Sequence, residues 1–188
     1  MSINRTKYLS SIEVGRLIAA TKARTTKTGV RAWMVVDFAL STGLRVSEML
    51  IRIEDIDFNR QFIHVHRLKK RNGDGEDILA IGTDLADHLR RYIGDRTQGH
   101  LFIGQRGPLT AQGLQRIWKR SVELAGLPPL SIHSARHTIA VHLLKKTGNL
   151  RQVQKQLGHA SPATTANMYA DVSFEDMQEG VTGLYERK

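Results

Sequence analysis

The chain has 188 residues, of which 40% are hydrophobic, so it is long and apolar enough to bury a core of its own. Its 28 lysines and arginines outnumber 18 acidic residues, and the resulting formal charge of +10 favours a polyanionic partner, nucleic acid before an acidic membrane surface. The absence of cysteine excludes a disulfide framework and a thiolate metal site.

The sequence predicts a mainly helical chain. Helices are predicted over residues 10–23, 30–41, 84–94, 110–126, 134–147 and 150–157, with two more that start near 161 and 173. Ser10 and Glu13 form a capping box at the start of the first helix, and a polar loop over 25–29 separates it from the strongly apolar second one. Gly43 ends that second helix, and Arg45 is predicted to open a further short one.

Strand patterns occupy a short stretch in the middle of the chain. Residues 61–68 and 77–81 alternate as strands do, and the Asn-Gly and Asp-Gly pairs within 71–75 supply turn chemistry. This is a β-hairpin with a basic tip, and residues 101–103 are a candidate third strand. We therefore expect an α+β, mainly α-helical fold: a helical bundle with a small antiparallel sheet at one edge, in a single domain over 1–188.

Charge is unevenly spread along the chain. Residues before Trp33 are strongly basic, whereas Asp171, Glu175, Asp176 and Glu179 precede any basic residue of the tail. A phosphate backbone would repel that tail, so we expect it to face protein. No apolar run approaches the roughly 18 residues of a spanning helix, and no signal-peptide core is present. We expect a cytoplasmic, nucleoid-associated protein that does not contact a membrane.

An ordered set of short motifs indicates the chemistry. The motifs are Thr-Gly-Leu-Arg-Val-Ser-Glu over 42–48, His133-x-x-Arg136, Leu-Gly-His over 157–159, and Tyr169. Their order and spacing resemble the catalytic domain of the tyrosine recombinases, the phage-integrase and Xer-like enzymes. The resemblance covers about 8–171, which implies that 172–188 is a C-terminal tail helix, exchanged between protomers in the family.

The resemblance assigns a role to each motif. Arg45 and Arg136 would hold the phosphodiester, because the planar guanidinium donates two hydrogen bonds and stays charged. Glu48, one turn beyond Arg45, is placed to pair with it in a supporting role. His133 would assist removal of a proton from the nucleophile, and His159 would donate to a non-bridging phosphate oxygen.

Tyr169 is the implied nucleophile, and Tyr185 is the downstream alternative. A phenol is a weak nucleophile because its pKa is about 10, so it needs a base and a neutralised phosphate.

The leaving 5′ oxygen needs a proton, which the family takes from a lysine of a β-hairpin. Lys69 matches that position and Lys70 is the alternative, so loss of activity in Lys70→Ala but not in Lys69→Ala would reverse the assignment.

The implied function is site-specific DNA recombination or integration through a covalent 3′-phosphotyrosine intermediate, without metal, ATP or another cofactor. The implied partners are double-stranded DNA and further copies of the chain in a tetramer on DNA. The alternative is a DNA-binding regulator that keeps the fold without turnover. A metal-dependent nuclease is a third reading, since His133 and His137 are spaced as helical zinc ligands and His64 and His66 share a strand face, but no HExxH motif accompanies them.

Overall fold

The computed structural model describes residues 8–70 and 73–158, apart from the side chains of residues 67–76. The described helices and strands are α1 (Ser11–Lys22), α2 (Lys27–Thr42), a 3₁₀ turn (Ile53–Asp55), β1 (Ile56–Asp57), β2 (Phe62–Lys70), β3 (Gly73–Ala80), α3 (Thr83–Ile93), β4 (Ile103–Gly104), β5 (Gly107–Pro108), α4 (Ala111–Leu124), α5 (His133–Thr147) and α6 (Leu150–Leu157). None of these helices combines the length and apolarity needed to cross a bilayer. The predicted fold class, a mainly helical bundle with small antiparallel sheets, is confirmed.

The second helix, α2, forms the centre of the bundle. It packs against α1, α3, α4 and α5, and its residues 34–39 are all buried. A helix that is apolar on most of its surface is expected to lie inside the core, as the sequence predicted. It begins earlier than predicted because the hydroxyl of Thr26 accepts the backbone N–H of Gly29 (3.1 Å) and caps the helix.

Strands β1, β2 and β3 form an antiparallel sheet in that order. The predicted hairpin is confirmed, with Phe62 opposite Ala80 and Val65 opposite Asp77, and with an irregular register between Arg67 and Lys70. Ile63 and Val65 of β2 and Leu79 of β3 belong to the core, which places one face of the sheet against the helices.

The prediction of a third strand at 101–103 is wrong. Leu101 and Phe102 are buried, but their backbone bonds go to Ile51 and Leu109 rather than to the hairpin. Only Ile103 enters a strand, β4, which pairs with β5 in a separate sheet. The third strand of the hairpin sheet is β1, whose two residues are too few to show an alternating pattern.

The capping signals of the sequence are present at most helix ends. Ser10 and Glu13 form the predicted capping box, and Thr110 caps α4. Helices α2, α5 and α6 end at glycines with positive φ: Gly43 (64°), Gly148 (61°) and Gly158 (62°).

A buried acidic side chain joins α2 to α3. Asp37 Oδ2 lies 2.9 Å from His88 Nδ1, and the ring of His88 packs edge-on against Trp33, with centroids 4.9 Å apart. Desolvation by burial is the largest influence on the Asp37 carboxyl and raises its pKa, although the hydrogen bond from His88 acts in the opposite direction. The ionised carboxylate is therefore less stable in the folded chain than in the unfolded one.

Asp37→Asn is expected to change the pH dependence of stability in a defined direction. Because folding raises the pKa of Asp37, its contribution is most favourable at low pH and is lost as the pH rises through that pKa. The unfolding free energy of Asp37→Asn relative to the native chain should therefore be higher at pH 7 than at pH 4.5 in denaturant titrations. The exposed Asp95→Asn is the control, and a relative stability independent of pH would contradict the expectation.

Candidate active site

Arg136 connects three segments of the chain that are distant in sequence. It lies in the first turn of α5 and is only 7% exposed. Its Nη1 donates to the carbonyl of Gly43 (2.8 Å), and its Nη2 donates to the carbonyl of Leu157 (2.7 Å). The ends of α2 and α6 are therefore held against the start of α5 by one guanidinium.

Helix ends also provide the electrostatic environment of this guanidinium. Gly43 caps the C-terminus of α2, and Leu157 is the last residue of α6. The carbonyl groups at a helix C-terminus carry partial negative charge, which stabilises a cation beside them. Two helix termini thus hold the positive charge of Arg136 in a buried position where an unpaired charge would be costly.

Gly43 has a second role, because it lies where these elements meet. A Cβ atom at this position would lie 2.4 Å from Ile139 Cγ2 and 2.7 Å from Leu157 Cδ2. Its φ of 64° is also a conformation that residues with a side chain rarely adopt. The Thr-Gly-Leu-Arg motif therefore needs glycine both for the turn and for the close approach of α5 and α6.

Arg45 lies just beyond this glycine and is oriented by Glu48. The Nη1 of Arg45 donates to Glu48 Oε1 (2.7 Å), and its backbone N–H donates to Oε2 (2.8 Å). The arginine side chain is 47% exposed and the glutamate only 6%. The predicted i,i+3 pair is present, with a buried carboxylate that directs an exposed guanidinium.

The short helix predicted at Arg45 is not formed. The segment is a single hydrogen-bonded turn, in which the N–H of Met49 donates to the carbonyl of Arg45 (3.0 Å). Met49 and Ile51 are both buried. Residues two apart lie on the same side of an extended chain but on different sides of a helix, so their burial favours an extended segment.

His133 is the first residue of α5, and its side chain is exposed. It precedes Arg136 by three residues, so both lie on one side of the helix start. The predicted partners His133 and Arg136 therefore both lie in the first turn of α5, with His133 exposed and Arg136 buried.

Lys69 and Lys70 lie at the end of β2, where Lys70 is opposite Gly73. Their side chains, like His159, Tyr169 and the tail over 172–188, lie outside the described residues. The assigned roles of these residues therefore remain predictions.

A contact that the sequence did not indicate connects the hairpin to α6. Gln156 Nε2 donates to the carbonyl of Ala80 at the end of β3 (3.2 Å). The base of the hairpin therefore lies beside the helix that leads to His159. Gln156 precedes Leu157-Gly158-His159 by one residue, but a single glutamine carries no pattern from which this contact could be predicted.

Two of the histidines considered as metal ligands, His64 and His66, have neighbours that do not indicate a metal site. His64 packs against the ring of Phe62, and His66 Nε2 lies 3.7 Å from Asp55 Oδ1. Among the side chains that the structure describes, no three of His, Asp or Glu form a group that could hold a metal ion.

Comparisons with known proteins agree with the family that the motifs indicate. Residues 7–176 match the phage integrase family. The chain is 33% identical over 191 residues to tyrosine recombinase XerC of Corynebacterium efficiens, and 33% identical over 183 residues to tyrosine recombinase XerD of Ralstonia nicotianae. These alignments cover 98% and 92% of the chain but 60% and 58% of the relatives, so the chain spans less than two thirds of their length.

Solved structures show the same fold. The crystal structure of the XerA recombinase superposes with a TM-score of 0.83 at 28% identity, covering 100% of this chain and 67% of that one. The XerH recombinase, in a post-cleavage complex with a palindromic difH substrate, superposes with a TM-score of 0.74 at 22% identity, covering 95% of this chain and 54% of that one.

Proposed function

The chain belongs to the phage integrase family, and on that premise we propose that it is a site-specific DNA recombinase that breaks and rejoins strands through a 3′-phosphotyrosine intermediate. The observation that carries the proposal is the pair of hydrogen bonds from Arg136 to Gly43 and Leu157, which brings the three described motif segments to one place. A DNA-binding regulator that keeps the fold would have no need of the nucleophile Tyr169.

In the proposed reaction, Arg45 and Arg136 bind the non-bridging oxygens of the scissile phosphate. Arginine is suited to this because the transition state adds negative charge to those oxygens. Glu48 supports the reaction by holding the exposed guanidinium of Arg45 in one orientation. His159 donates a further hydrogen bond to the phosphate.

The covalent step exchanges one phosphoester for another. The Oη atom of Tyr169 attacks phosphorus while His133 assists removal of its proton, and the bond to the 5′ oxygen breaks. Lys69 protonates that oxygen, which leaves as a free hydroxyl. A 5′ hydroxyl from a partner strand then attacks the phosphotyrosine and releases Tyr169, so the exchange consumes neither metal nor nucleotide.

We propose that residues 8–171 form a single catalytic domain and that 172–188 dock on a neighbouring protomer. Two DNA sites must be brought together for strand exchange, which requires four copies of the chain on DNA. Action on chromosomal or mobile-element DNA would place the protein in the cytoplasm, associated with the nucleoid.

The test is incubation with nicked duplexes that carry candidate target sites, followed by denaturing electrophoresis and peptide mapping. We expect a covalent adduct on Tyr169 that forms in EDTA and is lost in Tyr169→Phe. Tyr185→Phe is the matched control and should retain the adduct. DNA binding without any adduct would support the regulator instead, and hydrolysed ends formed only with added metal would support a nuclease.

Glu48→Gln is expected to slow adduct formation by about 10- to 100-fold. The amide keeps the shape of the carboxylate but presents an N–H₂ group to the N–H donors of Arg45, so the guanidinium loses its fixed orientation. The affinity for duplex DNA should fall less than the adduct rate. Loss of the carboxylate makes the net charge of the chain more positive, which favours binding to a polyanion.

The matched control is Glu54→Gln, which alters an Arg–Glu pair outside the site. Glu54 Oε1 accepts from Arg52 Nη2 at 2.8 Å, a distance similar to that of the Arg45 pair. Equal slowing in both variants would show that the effect is a general loss of stability rather than of Arg45 orientation.

A further inference from the structure

A cavity of about 250 Å³ lies where α1, α2 and α4 meet, at the opposite end of α2 from Gly43. Three arginines from different parts of the bundle line it: Arg24 after α1, Arg31 in α2 and Arg120 in α4. No acidic residue occurs among its described lining residues. We call it the arginine cavity.

The arginines of this cavity lack the partners that usually neutralise such a group. In the part of the chain that the structure describes, no carboxylate pairs with Arg24 or Arg120, and both residues are exposed. Arg31 is held by a hydrogen bond from its Nη1 to the carbonyl of Ile103 (2.9 Å), which neutralises no charge. Like charges that line one cavity repel one another, and an anion bound between them would remove that repulsion.

The other polar side chains that line the cavity are hydroxyls, and two of them donate within their own helices. The hydroxyls of Thr21 and Ser121 donate to the carbonyls of Leu17 and Ile117 in their own helices, each at 2.9 Å. The side-chain donors left for a ligand therefore belong to the arginines and to Thr28, whose hydroxyl lies 3.2 Å from that of Thr26. Thr28, the second residue of α2, adds the positive end of a helix dipole. An oxyanion meets these conditions, and arginine favours phosphate oxygens.

The position of the cavity distinguishes it from the candidate active site. Gly43, the cap of α2, lies twelve positions beyond Arg31, which corresponds to about 18 Å along the helix axis. One phosphodiester cannot bridge that distance. A ligand of the arginine cavity is therefore different from the phosphate that Arg45 and Arg136 would hold.

We propose that the arginine cavity binds a backbone phosphate of duplex DNA, remote from the scissile phosphate. The inference rests on the proposed function for the identity of the polyanion. The formal charge of +10 and the unneutralised arginines favour nucleic acid over a small anion. Such a contact carries no sequence information, and its role is to fix the orientation of the duplex so that the cleaved phosphate meets Arg45.

The test compares two double variants that remove the same charge. Arg24→Gln/Arg120→Gln alters the cavity, and Arg91→Gln/Arg106→Gln alters exposed arginines outside it. Arg31 is left unchanged because it binds the Ile103 carbonyl. Duplex affinity is measured at several salt concentrations, with thermal unfolding as a check on folding.

For the cavity variant we expect weaker binding of the duplex. The slope of log affinity against log salt concentration should be smaller in magnitude by about 1 to 2. The control variant should keep the slope of the native chain. Equal loss of slope in both variants, or no loss in the cavity variant, would overturn the proposal. Reduced self-association with an unchanged slope would instead assign the cavity to the acidic segment 171–179 of another copy.

Inorganic phosphate is the second probe, titrated into the full chain and followed through the NMR signals of the arginine side chains. Shifts of the Arg24 and Arg120 signals, together with the shallower slope, support a phosphate site used by DNA. Phosphate binding with an unchanged slope would identify a free anion as the ligand and overturn the assignment to DNA. The adduct assay on the native chain is independent, so its failure would reject the proposed function and leave the cavity result to stand.

Discussion

Arg136→Lys is expected to slow formation of the Tyr169 adduct by about 100-fold or more, although the charge is kept. A lysine ammonium cannot reproduce the planar fork with which Arg136 donates to the carbonyls of Gly43 and Leu157. At least one buried carbonyl then loses its partner, which costs about 1–3 kcal/mol of unfolding free energy. Single-turnover adduct formation and denaturant unfolding measure the two effects.

The matched control for this substitution is Arg16→Lys. Arg16 Nη2 also donates to a backbone carbonyl, that of Ala125 (3.1 Å), but outside the candidate site. We expect a small change in stability and a native adduct rate. An Arg136→Lys chain that forms the adduct at the native rate would show that this guanidinium does not organise the site.

Gly43→Ala is expected to lower the unfolding free energy by about 2–4 kcal/mol. About 1 kcal/mol of this arises from a side chain at positive φ, and the rest from overlap of the new Cβ with Ile139 and Leu157. Because those neighbours belong to α5 and α6, relief of the overlap displaces the helices that carry Arg136 and lead to His159. Adduct formation should therefore fall with stability.

Gly148→Ala separates the two contributions. Gly148 ends α5 with a φ of 61°, close to the 64° of Gly43, but no atom lies within 4 Å of its ideal Cβ position. We expect it to lose only about 1 kcal/mol and to keep the adduct rate. Equal losses at the two glycines would show that close packing at Gly43 contributes nothing.

Local signals explain which elements could be predicted. The capping box at Ser10, the hydroxyl cap at Thr110 and the glycine ends of α5 and α6 act within a few residues, so the sequence alone indicates those boundaries. Strand β1 and the turn after Arg45 could not be predicted in this way. Their geometry depends on pairing with β2 and on burial of Met49 and Ile51, which are contacts between distant parts of the chain.

For the candidate site, too, some properties could be predicted from the sequence and others could not. Identity of the chemical groups follows from the sequence, because arginine, histidine and tyrosine have their hydrogen-bonding and proton-transfer properties wherever they lie. Their roles at Tyr169, His159 and Lys69 rest on the family resemblance and are open to the tests above.

By itself, the sequence determined the helical content, the hairpin, the basic charge and the family. Only the tertiary structure decided that Arg136 holds the ends of α2 and α6, that Glu48 is buried beside an exposed Arg45, and that three arginines line one cavity. The reason is physical: caps, turns and charge are properties of neighbouring residues, whereas these contacts join side chains to groups that approach only when the helices pack.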